Sequence, residues 1–129
     1  MGQPARQFHT QQVHYLRKTV VFGNAGVVQT VGVLPAGALI LKPISGVHVV
    51  TAFNSGTNKQ IDIGTTADDD LFGTDLSLAA ATFVPLDEAV GGYRVDAVTT
   101  ITATLDLTGT AASAGEAEII IAYIPDNDQ

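Results

Sequence analysis

Thr100-Ile101-Thr102-Ala103-Thr104-Leu105-Asp106-Leu107 is the clearest alternation in the chain. Ile101, Ala103, Leu105 and Leu107 point one way, and three threonines and Asp106 point the other. Period 2 is the signature of a β-strand with one buried and one wet face. Working outward, Glu116-Ala117-Glu118-Ile119-Ile120-Ile121-Ala122-Tyr123-Ile124 starts half-exposed and becomes apolar on both faces, as a strand does that is central or lies at an interface. Pro125 ends it, leaving an acidic tail at 126–129. Upstream, Val47-His48-Val49-Val50-Thr51-Ala52-Phe53 is rich in β-branched residues. The turn residues Asn54–Asn58 follow it, and then the alternating Gln60–Gly64. Together they read as a central β-hairpin feeding an acidic loop, Asp68–Asp75.

The remaining segments are also short and strand-like. Thr19–Phe22 leads to the turn signal Gly23-Asn24-Ala25-Gly26. Val27–Val33 ends at Leu34-Pro35-Ala36-Gly37, which fits a type II turn. Ala38–Lys42 is stopped by Pro43. Leu76–Ala81 suits one helical turn or a loop, and Phe83-Val84 and Tyr93–Val95 suit short strands. With seven or eight strands and no long helix, the fold class expected is all-β: a single-domain antiparallel β-sandwich. The long connection at 64–82 favours a jelly roll. Residues 1–7 are expected to form a flexible N-terminal arm, 8–125 the sandwich and 126–129 the acidic tail.

The 129 residues suit one domain, and only 15% of them are charged, below the roughly 25% of ordinary globular chains. Few charges suit surface buried in an assembly. There is no cysteine, which removes disulfides and thiolate metal sites. The first residues lack an apolar core, so no secretory leader is expected, and no run of apolar residues is long enough to span a membrane as a helix. The net charge of −7 is unevenly divided. Residues 1–61 carry Arg6, Arg17, Lys18, Lys42 and Lys59 and no acid, while all 13 acids follow, against Arg94 alone. Phosphate would repel the net-acidic chain within the Debye length, about 8 Å at physiological salt, so neither nucleic acid nor membrane is an expected partner. Complementary ends favour self-association or docking on another protein.

Chemistry is sparse. His9 and His14 are five residues apart and fall on opposite faces of a strand, and His48 stands alone. Counted as an EF-hand from Asp68, the fifth slot is Phe72 and the twelfth is Ala79, where ligands are required. Asp68, Asp69, Asp70 and Asp75 therefore read as a solvated loop or one that meets a protein neighbour, with a calcium loop of another kind, built from carboxylates and backbone carbonyls, as the alternative. No nucleophile elbow, phosphate loop or convergent carboxylate pair occurs. Neither catalysis nor a cofactor is expected.

Four segments carry a resemblance. Leu34-Pro35-Ala36-Gly37-Ala38-Leu39-Ile40, Thr51-Ala52-Phe53-Asn54-Ser55-Gly56-Thr57, Ile61-Asp62-Ile63-Gly64-Thr65 and Ala67-Asp68-Asp69-Asp70 lie within residues 30–76, the stretch the resemblance covers. They resemble head decoration, or capsid cement, proteins of tailed bacteriophages with a jelly-roll fold. The resemblance implies a structural protein on the virion exterior, made in a bacterial cytoplasm. It also implies a dimer or trimer that staples the major capsid protein. Arg6, Phe8, Arg17 and Lys18 are then candidates for contact with the shell or a neighbour. Competing readings are a tail, collar or fibre-associated β-sandwich and a carbohydrate- or ligand-binding module.

Overall fold

A computed structural model describes residues 12–88 and 93–125. Its strands are β1 (His14–Val21), β2 (Gln29–Leu34), β3 (Leu39–Ile40), β4 (Gly46–Thr51), β5 (Asn58–Thr65), β6 (Gly73–Ser77), β7 (Phe83–Pro85), β8 (Thr99–Thr108) and β9 (Glu116–Ile124). One sheet has the order β1-β9-β4-β7, with β3 also paired to β9, and the other has the order β2-β8-β5-β6. All pairings are antiparallel. The chain changes sheet at every connection except β3–β4 and β5–β6. A five-stranded and a four-stranded sheet wound in this way form a jelly roll.

The alternation of β8 is observed in part: Ile101, Ala103 and Leu105 are buried in the core, but Thr102 of the other face is buried as well and Leu107 is only half-buried. The register extends this phase across the sheets. Ile61 and Ile63 of β5 stand opposite Leu105 and Ala103. In the other sheet Lys18, Ile119, Val47 and Val84 form one inward row, whereas Thr19, Glu118, His48 and Phe83 form the adjacent outward row. Val47, Val49 and Phe53, with Ile119 and Ile121, belong to a single buried cluster that also includes Leu34, Leu78 and Leu86. Each such side chain contributes about 1.5–3 kcal/mol by leaving water.

The expected hairpin from Val47 to Ile63 is not one. β4 and β5 lie in opposite sheets, so Asn54–Thr57 crosses the end of the sandwich. Phe53 is buried and its N–H donates to the Leu78 carbonyl, while the Gly56 N–H donates to Thr110. The Asn54 side chain clamps the β8–β9 connection, accepting N–H bonds from Ser113 and Ala114 at 2.9 and 3.1 Å. Turn chemistry marked the reversal correctly, but burial of Phe53 sends the chain across the core instead of back along the same sheet.

Other boundaries shift for local reasons. Leu76–Ala81 forms no helical turn, because Leu76 and Ser77 complete β6. Tyr93–Val95 makes a single bridge, Arg94 to Leu39, instead of a strand. The turn near Pro35 closes one residue later than a Pro-second type II turn: the Ala38 N–H donates to Pro35, with Gly37 at φ 84°.

β3 and β4 share one edge of β9, separated by a 3-10 turn at Lys42–Ile44. The gap would strand Ala122, which is fully buried. Its carbonyl accepts the Leu41 N–H at 2.8 Å, and its N–H donates to Ser45 Oγ at 2.9 Å. Ser45 is itself fully buried. Ser45→Ala is therefore expected to cost about 1–3 kcal/mol in urea unfolding, the penalty of an orphaned buried donor. An unchanged midpoint would mean that the gap is closed in some other way.

Candidate assembly surface

With the sandwich closed, the candidate functional features are its outer faces and two ends. The connections after β1, β4, β6 and β8 gather at one end, and those after β2, β5 and β7 at the other, where β1 also begins. Arg6 and Phe8, like the expected arm at 1–7 and the tail at 126–129, lie outside the described residues.

Arg17 and Lys18 sit on strand β1 and not on an arm. Neighbours on a strand face opposite ways. Arg17 points outward and binds the Glu118 carboxylate through Nη2 at 2.7 Å and Nε at 3.1 Å. Lys18 is half-buried on the inward side, in register with Ile119. The sequence pairs the two as one contact, and the pleat separates them. Around Arg17 the outer face of the β1 sheet also exposes Tyr15, Val21 and Phe83. His14 stacks on Tyr123, with centroids 5.6 Å apart, at the start of the same strand. At the far end Val27 and Val28 are 62% and 58% exposed.

The acidic residues gather on the opposite sheet. Asp68, Asp69 and Asp70 lie in the β5–β6 connection, and each offers an oxygen within 4.8 Å of the others. The connection folds onto Gly64, where any Cβ would collide with the backbone of Asp68 and Asp69. Asp75 is not in the loop. It lies on β6 at φ 52°, and its N–H donates to Asp62 Oδ1 at 2.7 Å. Asp62 and Asp106 complete the acidic face, and Asn58 Nδ2 donates to Asp106 at 3.0 Å. Asp62 and Asp106 were not singled out from sequence, although both sit at outward positions of strands whose period-2 phase was legible.

Crowding tunes these carboxyls. Burial, more than any other cause, lifts the Asp62 carboxyl above its ordinary range; the charges of Asp75, Asp69 and Asp106 add to it, and the Asp75 N–H works against it. A hydrogen bond donated by the protonated Asp70 carboxyl to Asp68 is the main cause raising Asp70. A carboxyl raised on folding binds its proton more tightly in the folded chain, so stability rises as pH falls through the raised value. Asp62→Asn keeps the Oδ1 acceptor and removes the charge. The variant is expected to melt higher than the parent at about pH 7 and to show a flatter rise on acidification. A lower Tm at neutral pH would contradict this account.

Asp87 and Glu88 serve the fold: Asp87 Oδ1 accepts the Thr74 N–H at 3.0 Å, and the Glu88 N–H donates to Phe72 at 3.2 Å. Tyr93 donates its hydroxyl proton to the Glu88 carbonyl and packs on Phe72 with centroids 5.5 Å apart.

No family model matches this chain, and no curated protein is similar to it in sequence. Solved structures are. A chain in the capsid asymmetric unit of cyanophage Pam1 superposes with a TM-score of 0.68 at 14% identity, covering 90% of this chain and 86% of that one. A chain in the acid-stable capsid structure of Helicobacter pylori bacteriophage KHP30 gives a TM-score of 0.65 at 14% identity, covering 91% of each. At this identity the likeness establishes the shared jelly-roll fold.

Proposed function

We propose that this chain is a non-enzymatic virion protein that decorates a bacteriophage head and cements neighbouring capsid subunits. One observation carries the reading: the whole jelly roll matches chains from two phage capsid structures, with nearly complete coverage in both directions. Mutual coverage means that those chains are close to this one in size, so each is essentially one such sandwich. A unit this small suits an accessory subunit of a shell. The surface agrees, with low charge, exposed Tyr15, Val21 and Phe83 around Arg17, and an acidic opposite face. In this reading the partner is the major capsid protein, the protein acts as a dimer or trimer on the outside of the head, and Arg6, Phe8 and Arg17 lie at contacts. Many weak attachments on a lattice sum to firm binding without a tight individual site.

Cementing makes a measurable demand. Heads lacking the protein should disrupt at a lower temperature than the same heads after purified protein is added back. If heads that visibly bind the protein gain no thermal protection, the cementing role is wrong.

A further inference from the structure

The end of the sandwich where β1 begins holds a groove of about 560 Å³ between the β5–β6 connection and the segment leading into β8. Leu71, Phe72 and Val95 give it apolar walls, and Val98, 70% exposed, stands on its rim. Thr65, Thr66 and Ala67 form the wall that runs directly into Asp68–Asp70. Arg94, on the other wall, pairs with Asp96 at 3.7 Å, so the acidic turn sets the sign of the rim. The complement of such a groove is an extended peptide with an aromatic side chain and a basic one on the same face.

Residues 1–11, outside the described structure, provide that pattern. They contain Arg6 and Phe8 and no acid. In an extended chain, residues two apart share a face and lie about 7 Å from each other. Phe8 in the groove would place Arg6 toward the Asp68–Asp70 turn. We propose that the N-terminal segment of one copy docks in this groove on a neighbouring copy.

Two observations favour a neighbour over the same chain. β1 is an edge strand, and β9 and β3 lie between it and the Tyr93–Val95 segment that forms one wall of the groove, about 15 Å at three strand spacings. Between Arg6 and His14 the sequence RQFHTQQVH has no Gly, Pro, Asn or Asp to turn the chain back. A strand that simply continues leaves its own sandwich. An arm-to-groove contact joins different surfaces on the two copies, and such head-to-tail contacts form a ring where the rotation closes and an open filament where it does not. The proposal rests on the oligomeric part of the function proposed above, but it is tested without any head.

The absence of cysteine makes the test clean. Gln7→Cys protein is mixed with Thr66→Cys protein at micromolar concentration and oxidised. The expected result is a mixed disulfide dimer forming at least tenfold faster than either symmetric dimer, and slowed as much by adding Phe8→Asp to the Gln7→Cys chain. Light scattering should show the Arg6→Glu/Phe8→Asp variant falling to monomer mass while its circular dichroism is unchanged. The proposal is overturned by a wild-type monomer at these concentrations, by no preference for the mixed pair, or by a chain carrying both Gln7→Cys and Thr66→Cys that closes only an internal disulfide. Head binding, measured separately, can survive any of these failures.

Discussion

Ile119→Ala is expected to lower the unfolding free energy by about 2–5 kcal/mol, the cost of a large-to-small change at a fully packed position. Ile119 is fully buried, flanked in register by Lys18 and Val47, in the same core cluster as Ile61, Ile63 and Ile101. The neighbouring Ile120 faces outward and is only half-buried. Ile120→Ala should therefore cost about 1 kcal/mol or less. Urea unfolding of both variants checks the phase of β9, with midpoints moving and slopes unchanged. Equal costs would mean that β9 is packed on both faces, as its apolar run alone would suggest.

The second large effect concerns the N-terminus. Deleting residues 1–18 removes His14 to Lys18 from β1 and uncovers the edge of β9 from Ile119 to Tyr123. Leu16 packs against the core from this segment, and Val20, fully buried, loses the strand that holds it. The expected cost is about 3 kcal/mol or more, a large part of a domain's usual 5–15 kcal/mol, with loss of a cooperative transition as the extreme outcome. Deleting residues 1–11 spares every register pair among the described residues and should change stability by about 0.5 kcal/mol or less when both proteins are monomeric. Comparable losses from the two deletions would place structural contacts upstream of His14.

These contrasts show what the amino-acid order made legible. Alternation in Thr100–Leu107 identified a half-buried strand and its inward residues, because side-chain period is a local property. Turn residues at Gly37 and at Asn54–Thr57 marked reversals for the same reason. Whether a reversal stays in one sheet or crosses the core depends on distant partners, here Leu78 and Thr110, which no local pattern encodes. The candidate contacts behaved alike. Arg17 and Lys18 are adjacent in sequence and face opposite ways in the pleat. Asp62, Asp75 and Asp106 come from three strands and meet only when β5 pairs with β6 and β8. The division of charge along the chain becomes, in part, a division between sheets: the second sheet collects the aspartates because its strands come largely from the acidic half. Glu116 and Glu118, on the other sheet, are the exceptions, and Arg17 answers Glu118 directly.

The central claim is that this jelly roll belongs on a phage head. Sedimentation of purified protein with heads that lack it, and with isolated tails, tests the claim most directly. The account predicts saturable binding to heads at a fixed number of copies per particle, and none to tails. Protein that stays at the top of the gradient with heads, or travels with tails instead, would contradict it.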